Sequence, residues 1–372
     1  MSNRKLFVLG IIAVLMVTWA VVQSRVSSKT EAEPGGPVYL VQGLNTADIG
    51  SIFLGFGDDG VMLKRIGRQF VVVNKDNYPA KASEINNLIS KCLEIQTSEF
   101  VTDNPANHAD LEVTEEKART LVKFLKSDPN STLLTGVAVG KSKESGQDTY
   151  VRLLSKDDSV SNKVYMASNV PWFGDQAINF IEQELISVKR DDIESVTVSL
   201  PSGEYTLKTE PNSTNIMLEN IPAGKKLKSG DAQSVFTALT NLRCDDVMKQ
   251  SDDLTFDKKY VCRLTDETEY TINIAAKDDK THVTCSAVYT GVRPTSIRTD
   301  ESEEELKVKE AKLLADDKAK EFTAKHQGWV YEIAEYKAKN LTKELSDLIE
   351  DVEKPKDPNT VEAGPLPPQP EN

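Results

Sequence analysis

The pattern of hydrophobic and polar positions changes period several times along this chain. From Leu6 to Val22 it has no polar face at all: the run Leu-Phe-Val-Leu-Gly-Ile-Ile-Ala-Val-Leu-Met-Val-Thr-Trp-Ala-Val-Val carries no charge. About 17 residues of this kind lie at the short end of what crosses a hydrocarbon core of ~30 Å. Residues 1–24 are therefore read as a short stub and a single transmembrane helix, marked by Leu6, Gly10, Leu15, Trp19 and Val22. Arg4 and Lys5 flank its start, which by the positive-inside bias keeps the N-terminus in the cytoplasm and exports the rest. A cleaved signal peptide is the rival reading, with Val22-Gln23-Ser24 as a mediocre cleavage site.

After a polar linker over residues 25–37, the period becomes two. Ile49, Ile52 and Leu54 alternate, Gly57-Asp58-Asp59-Gly60 is a turn signal, and Val61–Leu63 and Gln69–Val73 continue a β-meander. Ile85, Leu88, Ile89, Cys92 and Leu93 then mark one face of a helix over Ser83–Ile95, with Ser83 placed to cap it. Strands are expected at Thr120–Leu125, Thr132–Val139, Thr149–Leu154 and Lys163–Met166, and a helix at Gln176–Leu185.

The pattern then starts again. Asp192-Ile193-Glu194-Ser195-Val196 echoes Asp48-Ile49-Gly50-Ser51-Ile52, Leu207-Lys208 echoes Leu63-Lys64, and Pro222-Ala223 echoes Pro79-Ala80 before a helix carrying Val235, Phe236, Leu239 and Leu242. Strands at Tyr260–Leu264, Glu269–Ala275 and Thr281–Val288 follow, Val330-Tyr331 matches Val164-Tyr165, and a last helix carries Leu341, Leu345, Leu348 and Ile349. The expected fold is α+β: two repeated units of antiparallel β-meanders with packed helices, at 38–188 and 189–352, behind the transmembrane helix. The second unit carries about 34 extra residues near 291–325, a Glu/Lys-rich helix with a capping box at Ser302 and Glu305 and a thin apolar stripe of Leu306, Leu313 and Leu314. It reads as a solvated surface helix or as a docking arm for another protein. Residues 353–372 form an acidic, Pro-rich tail with the composition of disorder.

Composition narrows the function. A net charge of −13 removes nucleic acid from the expected partners, because binding phosphate needs a basic surface. Cys92, Cys244, Cys262 and Cys285 form no Cys-x-x-Cys, and Cys262 and Cys285 fall on strands separated by a third, too far apart to bridge, so free buried thiols are expected.

Candidate chemistry is sparse, and no catalytic, cofactor-binding or metal residues are assigned. Gly140-Lys141-Ser142 resembles the end of a P-loop, but Thr135 stands where the first glycine belongs and a strand follows. His108, His282 and His326 share no ligand spacing, and Asp103–Asp110 lacks the alternation of a calcium loop. No Gly-x-Ser-x-Gly elbow exists. Trp172 and Trp329, in Pro171-Trp172-Phe173 and Gly328-Trp329-Val330-Tyr331, either pack a helix onto a sheet or form a platform for sugar or peptide.

Several of these residues carry a family resemblance: Leu44-Asn45-x-x-Asp48-Ile49-x-x-Ile52, Tyr78-Pro79-Ala80 before a helix, Thr149-Tyr150-Val151-Arg152-Leu153, Val164-Tyr165, and Leu185-Ile186-x-Val188-x-x-Asp191-Asp192-Ile193-x-x-Val196. The exported part resembles the membrane-anchored bacterial family of domain of unknown function 4340. The resemblance implies an extracytoplasmic accessory subunit beside ABC-transporter components of the gliding-motility kind, with no catalytic residues to carry over. The expected function is thus a single-pass, membrane-anchored, non-enzymatic accessory or scaffold of a membrane transport complex. The alternative is an envelope glycan- or peptide-binding module using Trp172 or Trp329, and an unrecognised hydrolase is the least supported.

Overall fold

The computed structural model describes residues 38–55, 59–144, 146, 148–168, 170–210, 213–294 and 302–352. The apolar run at Leu6–Val22 with its marker residues, the linker at 25–37, part of the insertion and the tail at 353–372 lie outside them. Among the described residues no helix is long and apolar enough to cross a membrane. The fold is α+β with antiparallel sheets, and it divides into two compact units between Glu182 and Gln183.

The first unit is built on a ten-stranded sheet. Its strands are β1 (Val38–Tyr39), β2 (Ile49–Leu54), β3 (Val61–Ile66), β4 (Gln69–Val72), β5 (Tyr78–Pro79), β6 (Gln96–Thr102), β7 (Thr120–Lys126), β8 (Leu133–Ser142), β9 (Thr149–Leu154) and β10 (Val164–Ser168). They lie in the order β1-β6-β10-β9-β8-β7-β2-β3-β4-β5. Helix α1 (Ala82–Leu93) buries Ile85, Leu88, Ile89 and Cys92, the face that the helical spacing marks. Ser83 does not cap it: the helix starts one residue earlier, at Ala82, and Lys81 at its N-cap makes no side-chain cap hydrogen bond. Ala118, Leu121, Ala138 and Leu154 form a separate cluster with Phe53 and Leu133 packed against it. Strand β8 is buried without interruption from Gly136 to Gly140. A strand that is covered on both faces loses the alternation that makes strands legible. A single helical turn, α2 (Asp158–Ser161), joins β9 to β10.

The expected helix at Gln176–Leu185 is not formed. Ala177–Phe180 makes one 3-10 turn, Ile181 is extended, and Glu184–Ile186 becomes strand β11. Phe180, Ile181, Leu185 and Ile186 are all buried, so their apolar spacing serves an irregular packed segment rather than one helical stripe. Strand β11 pairs with β16 (Leu242–Arg243), which places the start of the second unit earlier than residue 189.

The second unit contains β12 (Ile193–Leu200), β13 (Gly203–Thr209), β14 (Ile216–Leu218), β15 (Lys225–Leu227), β17 (Asp246–Lys249), β18 (Lys258–Leu264), β19 (Thr268–Lys277), β20 (Lys280–Tyr289), β21 (Trp329–Ile333) and β22 (Ile349–Asp351). Its main sheet runs β14-β13-β12-β18-β19-β20-β21-β17. Helix α3 (Ser229–Phe236) is shorter than its apolar pattern: the chain tightens into a 3-10 turn at Ala238–Asn241, and Leu242 is already in strand. The single terminal helix of the sequence reading is likewise broken, into α5 (Glu335–Leu341) and α6 (Leu345–Leu348), with Ile349 starting β22. Strand β22 pairs with β15 in a two-stranded ladder.

The insertion forms helix α4 (Glu303–His326), opened by the capping box at Ser302 and Glu305. It is not a free arm. It lies along β20, where Thr323 Oγ1 donates to the Ala287 carbonyl at 2.7 Å and accepts from the Ala287 N–H at 2.8 Å. Its buried residues are Ala315, Asp316, Ala319 and His326, whereas Leu314 is 52% exposed. Small side chains let the helix axis approach the sheet, and of the three leucines Leu306 and Leu313 are half-buried while only Leu314 faces away.

Strand for strand, β6-β10-β9-β8-β7-β2-β3-β4 and β17-β21-β20-β19-β18-β12-β13-β14 have the same order. The registers agree as well. Ser51 stands opposite Lys64 and Leu125, and Ser195 opposite Lys208 and Arg263. A bulge falls between Ile49 and Ser51 in one sheet and between Ile193 and Ser195 in the other. Val151 pairs with Val139 and Tyr165, as Val283 pairs with Ile274 and Tyr331.

Candidate functional site

The two tryptophans singled out by the sequence sit differently. Trp172 is 75% exposed while its neighbour Phe173 is buried, so the side chain at 173 packs and the one at 172 faces solvent. The Trp172 carbonyl accepts from Lys91 Nζ at 3.0 Å, which ties this segment to α1. Trp329, at the start of β21, is half-buried, with Lys249 Nζ of the paired strand β17 at 5.5 Å from its ring centre. Trp172 offers an open indole face; Trp329 already holds a cation.

The nucleophile and ligand candidates are placed as packing groups. All four cysteines are free and buried. Burial pushes the thiols of Cys244 and Cys262 up to about 12, and those of Cys92 and Cys285 further up, so none is a ready thiolate. Cys262 and Cys285 lie on β18 and β20, with β19 between them.

His108 donates through Nε2 to the Asn162 carbonyl at 2.9 Å, fixing the loop before β7 to the end of α2. In the same loop Asn104 Oδ1 accepts from the Ala106 N–H and caps a 3-10 turn at Pro105–Asn107. His326 is buried between Phe322 and Tyr331, whose hydroxyl is 2.7 Å from Nδ1. Burial, with a smaller contribution from Lys325, pushes its pKa down to about 4. Gly140-Lys141-Ser142 ends strand β8, as a hairpin reading requires and a phosphate loop does not allow.

One cleft of the second unit gathers polar chemistry: His282, Asp246, Asp253, Lys277, Lys280 and Glu332 line it. It is not legible in the sequence, because β17, β19, β20 and β21 contribute one or two residues each. Its charges are largely paired, Lys277 with Asp253 at 2.5 Å and Lys280 with Glu332 at 2.8 Å. His282 is buried with Nδ1 lacking a hydrogen-bond partner among the described residues. No group of three or more His, Cys, Asp or Glu among the described residues is arranged to hold a metal ion.

With this geometry in place, the sequence profile of a family described as a domain of unknown function (DUF4340) matches residues 71–261, just over half of the chain. The chain belongs to the DUF4340 family. The matched stretch runs from β4 to β18, through α1 and α3, and so draws on both units of this DUF4340 protein. It includes Trp172, Cys92, Cys244, His108 and Gly140-Lys141-Ser142, while His282, His326, Trp329 and the helix α4 lie beyond it. No curated protein and no solved structure matches the chain.

Proposed function

We propose that this DUF4340 protein is a single-pass, membrane-anchored accessory or scaffold subunit of a membrane transport complex, of the ABC type, with its body outside the cytoplasm and without catalytic activity of its own. The observation that carries the reading is the uncharged run Leu6–Val22 behind Arg4 and Lys5, set before a body whose thiols and histidines are engaged in packing. The polar outer face of α4 offers a contact surface: its first three turns are charged and largely exposed, while its last turns are held to β20. The body is further proposed to be a tandem duplication, an idea supported by the common strand order, bulge position and registers of the two units.

Extraction in mild detergent tests the scaffold reading. Affinity purification of the full-length chain should recover integral-membrane transporter subunits. Recovery of no membrane protein would count against it. Charge reversal at the exposed Glu303, Glu304 and Glu310 should reduce that recovery without unfolding the body.

A second reading keeps a specific observation in its favour. Trp172 is exposed on a segment tied down by Lys91, the situation of an aromatic platform for a glycan or peptide. Saturable glycan or peptide binding that disappears in Trp172→Ala would select this reading over the scaffold. A hydrolase has no assembled nucleophile and base among the described residues to support it.

A further inference from the structure

A different cleft lies in the first unit, between helix α1 and the β3–β4 hairpin. It has a volume of about 310 Å³. Its floor is apolar, from Phe70, Ile85 and Ile89, and its rim carries Arg65, Arg68 and Asn86 with no carboxylate. That is unusual in a chain of net charge −13. Arg65 is held in place: its guanidinium lies 4.8 Å from the centre of the Phe70 ring and donates to the carbonyls of Thr46 at 3.3 Å and Ala47 at 3.2 Å. Those bonds use two of its five N–H groups. Arg68 sits beside Gly67, whose φ of +62° turns the hairpin, and its side chain has no ion pair among the described residues. Helix α1 starts at this cleft with Ala82 and lacks a side-chain cap; Glu84 in its first turn offsets the dipole, so the two arginines supply the positive charge.

The second unit shows what this corner can hold. Arg190 occupies the position corresponding to Thr46, each opening the 3-10 turn before the bulged strand. Phe236 corresponds to Ile89, because α1 buries Ile85, Leu88, Ile89 and Cys92 at the spacing with which Ala232, Val235, Phe236 and Leu239 are buried. There the Arg190 guanidinium lies 4.8 Å from the centre of the Phe236 ring and donates to the Thr214 carbonyl at 2.6 Å. Thr209 stands where the first unit has Arg65. The same corner is thus covered by the chain's own planar cation in one unit, and left open between two arginines in the other.

We infer that the cleft of the first unit is a binding site for a carboxylate joined to an apolar group. The apolar part rests on Phe70, Ile85 and Ile89, and the carboxylate meets Arg65 and Arg68, whose planar forks suit it. Such a group occurs on a free organic acid and at the C-terminus of a peptide ending in an apolar residue.

Calorimetric titration of the full-length protein distinguishes these sources. The probes are 3-phenylpropionate, a hexapeptide ending in Phe with a free C-terminus, and the same peptide amidated. Saturable binding of either free acid, with the amidated peptide at least tenfold weaker, is the expected result. A hexapeptide tenfold tighter than 3-phenylpropionate assigns the site to peptide termini; equal or weaker binding assigns it to small acids. Arg68→Gln, at an exposed hairpin tip, should weaken binding about tenfold or more, and Asn86→Asp should weaken it through like-charge repulsion. Lys249→Gln, which makes the same charge change in the second unit, should leave it unchanged. No saturation with either acid at about 10 mM, or binding indifferent to Arg68→Gln and Asn86→Asp, overturns the inference.

Discussion

Gly140 and His326 show how single positions in this chain answer to their surroundings. A Cβ at Gly140 would stand 2.2 Å from the Leu111 carbonyl oxygen and 2.7 Å from Val113 Cγ1. The glycine is therefore there for close approach of two backbones, not for phosphate. Gly140→Ala should destabilise the first unit by ~1–3 kcal/mol, read from urea unfolding, because neither neighbouring atom is the end of a flexible side chain. His326 is neutral in the folded protein, its pKa lowered from 6.5 to about 4 by burial first and Lys325 second. Above the unfolded value the two states bind the same number of protons. As the pH falls below 6.5 the unfolded chain takes up a proton that the folded one refuses, so stability declines down to about 4 and then levels. The loss attributable to this group is of the order of 3 kcal/mol at most. Urea midpoints measured across this window should fall more steeply for the natural protein than for His326→Gln, and equal slopes would show that the ring titrates normally.

At the scale of elements, helix α4 carries the clearest lesson. Its capping box and length are legible in the sequence, since both depend on residues within one turn or one run. Its packed face is not. The buried positions are Ala315, Asp316, Ala319 and His326, small, charged or titratable residues that the thin leucine stripe does not point to. Ala319→Glu would place a carboxylate against β20 and should cost ~3 kcal/mol or more, with faster hydrogen exchange along Lys280–Tyr289. Leu314→Ala, at an exposed position, should change stability by no more than about 0.5 kcal/mol. Finding the reverse would mean that Leu314 belongs to the packed face after all. The strands tell a similar story. Those with alternating burial, such as β18, are readable, whereas the seven-residue β6 and the four-residue β17 are not, because both are mostly polar and carry no alternating apolar face.

For the whole molecule, the proposal turns on whether Leu6–Val22 holds the body beside its partner or merely delivers it. A version beginning at Ser28, exported behind a cleavable signal, should unfold in urea like the parent yet fail to restore function in a strain lacking the protein. Full complementation would reduce the anchor to a delivery device and weaken the scaffold reading. The candidate sites were hidden from the sequence for one reason. Arg65, Phe70, Ile85 and Ile89 converge from a strand, a neighbouring strand and a helix, and His282 meets Asp246, Asp253 and Glu332 across three strands and a loop. By itself the sequence determined what depends on local order: the apolar run, the alternation of partly exposed strands, the capping box, the recurrence of short patterns in register, and the separation of Cys262 from Cys285 by one strand. Only the tertiary structure decided which face of α4 packs, where the predicted helices break into 3-10 turns and strands, and where a cleft lies between α1 and the β3–β4 hairpin. Those outcomes depend on contacts between residues far apart in the chain, which no local period records.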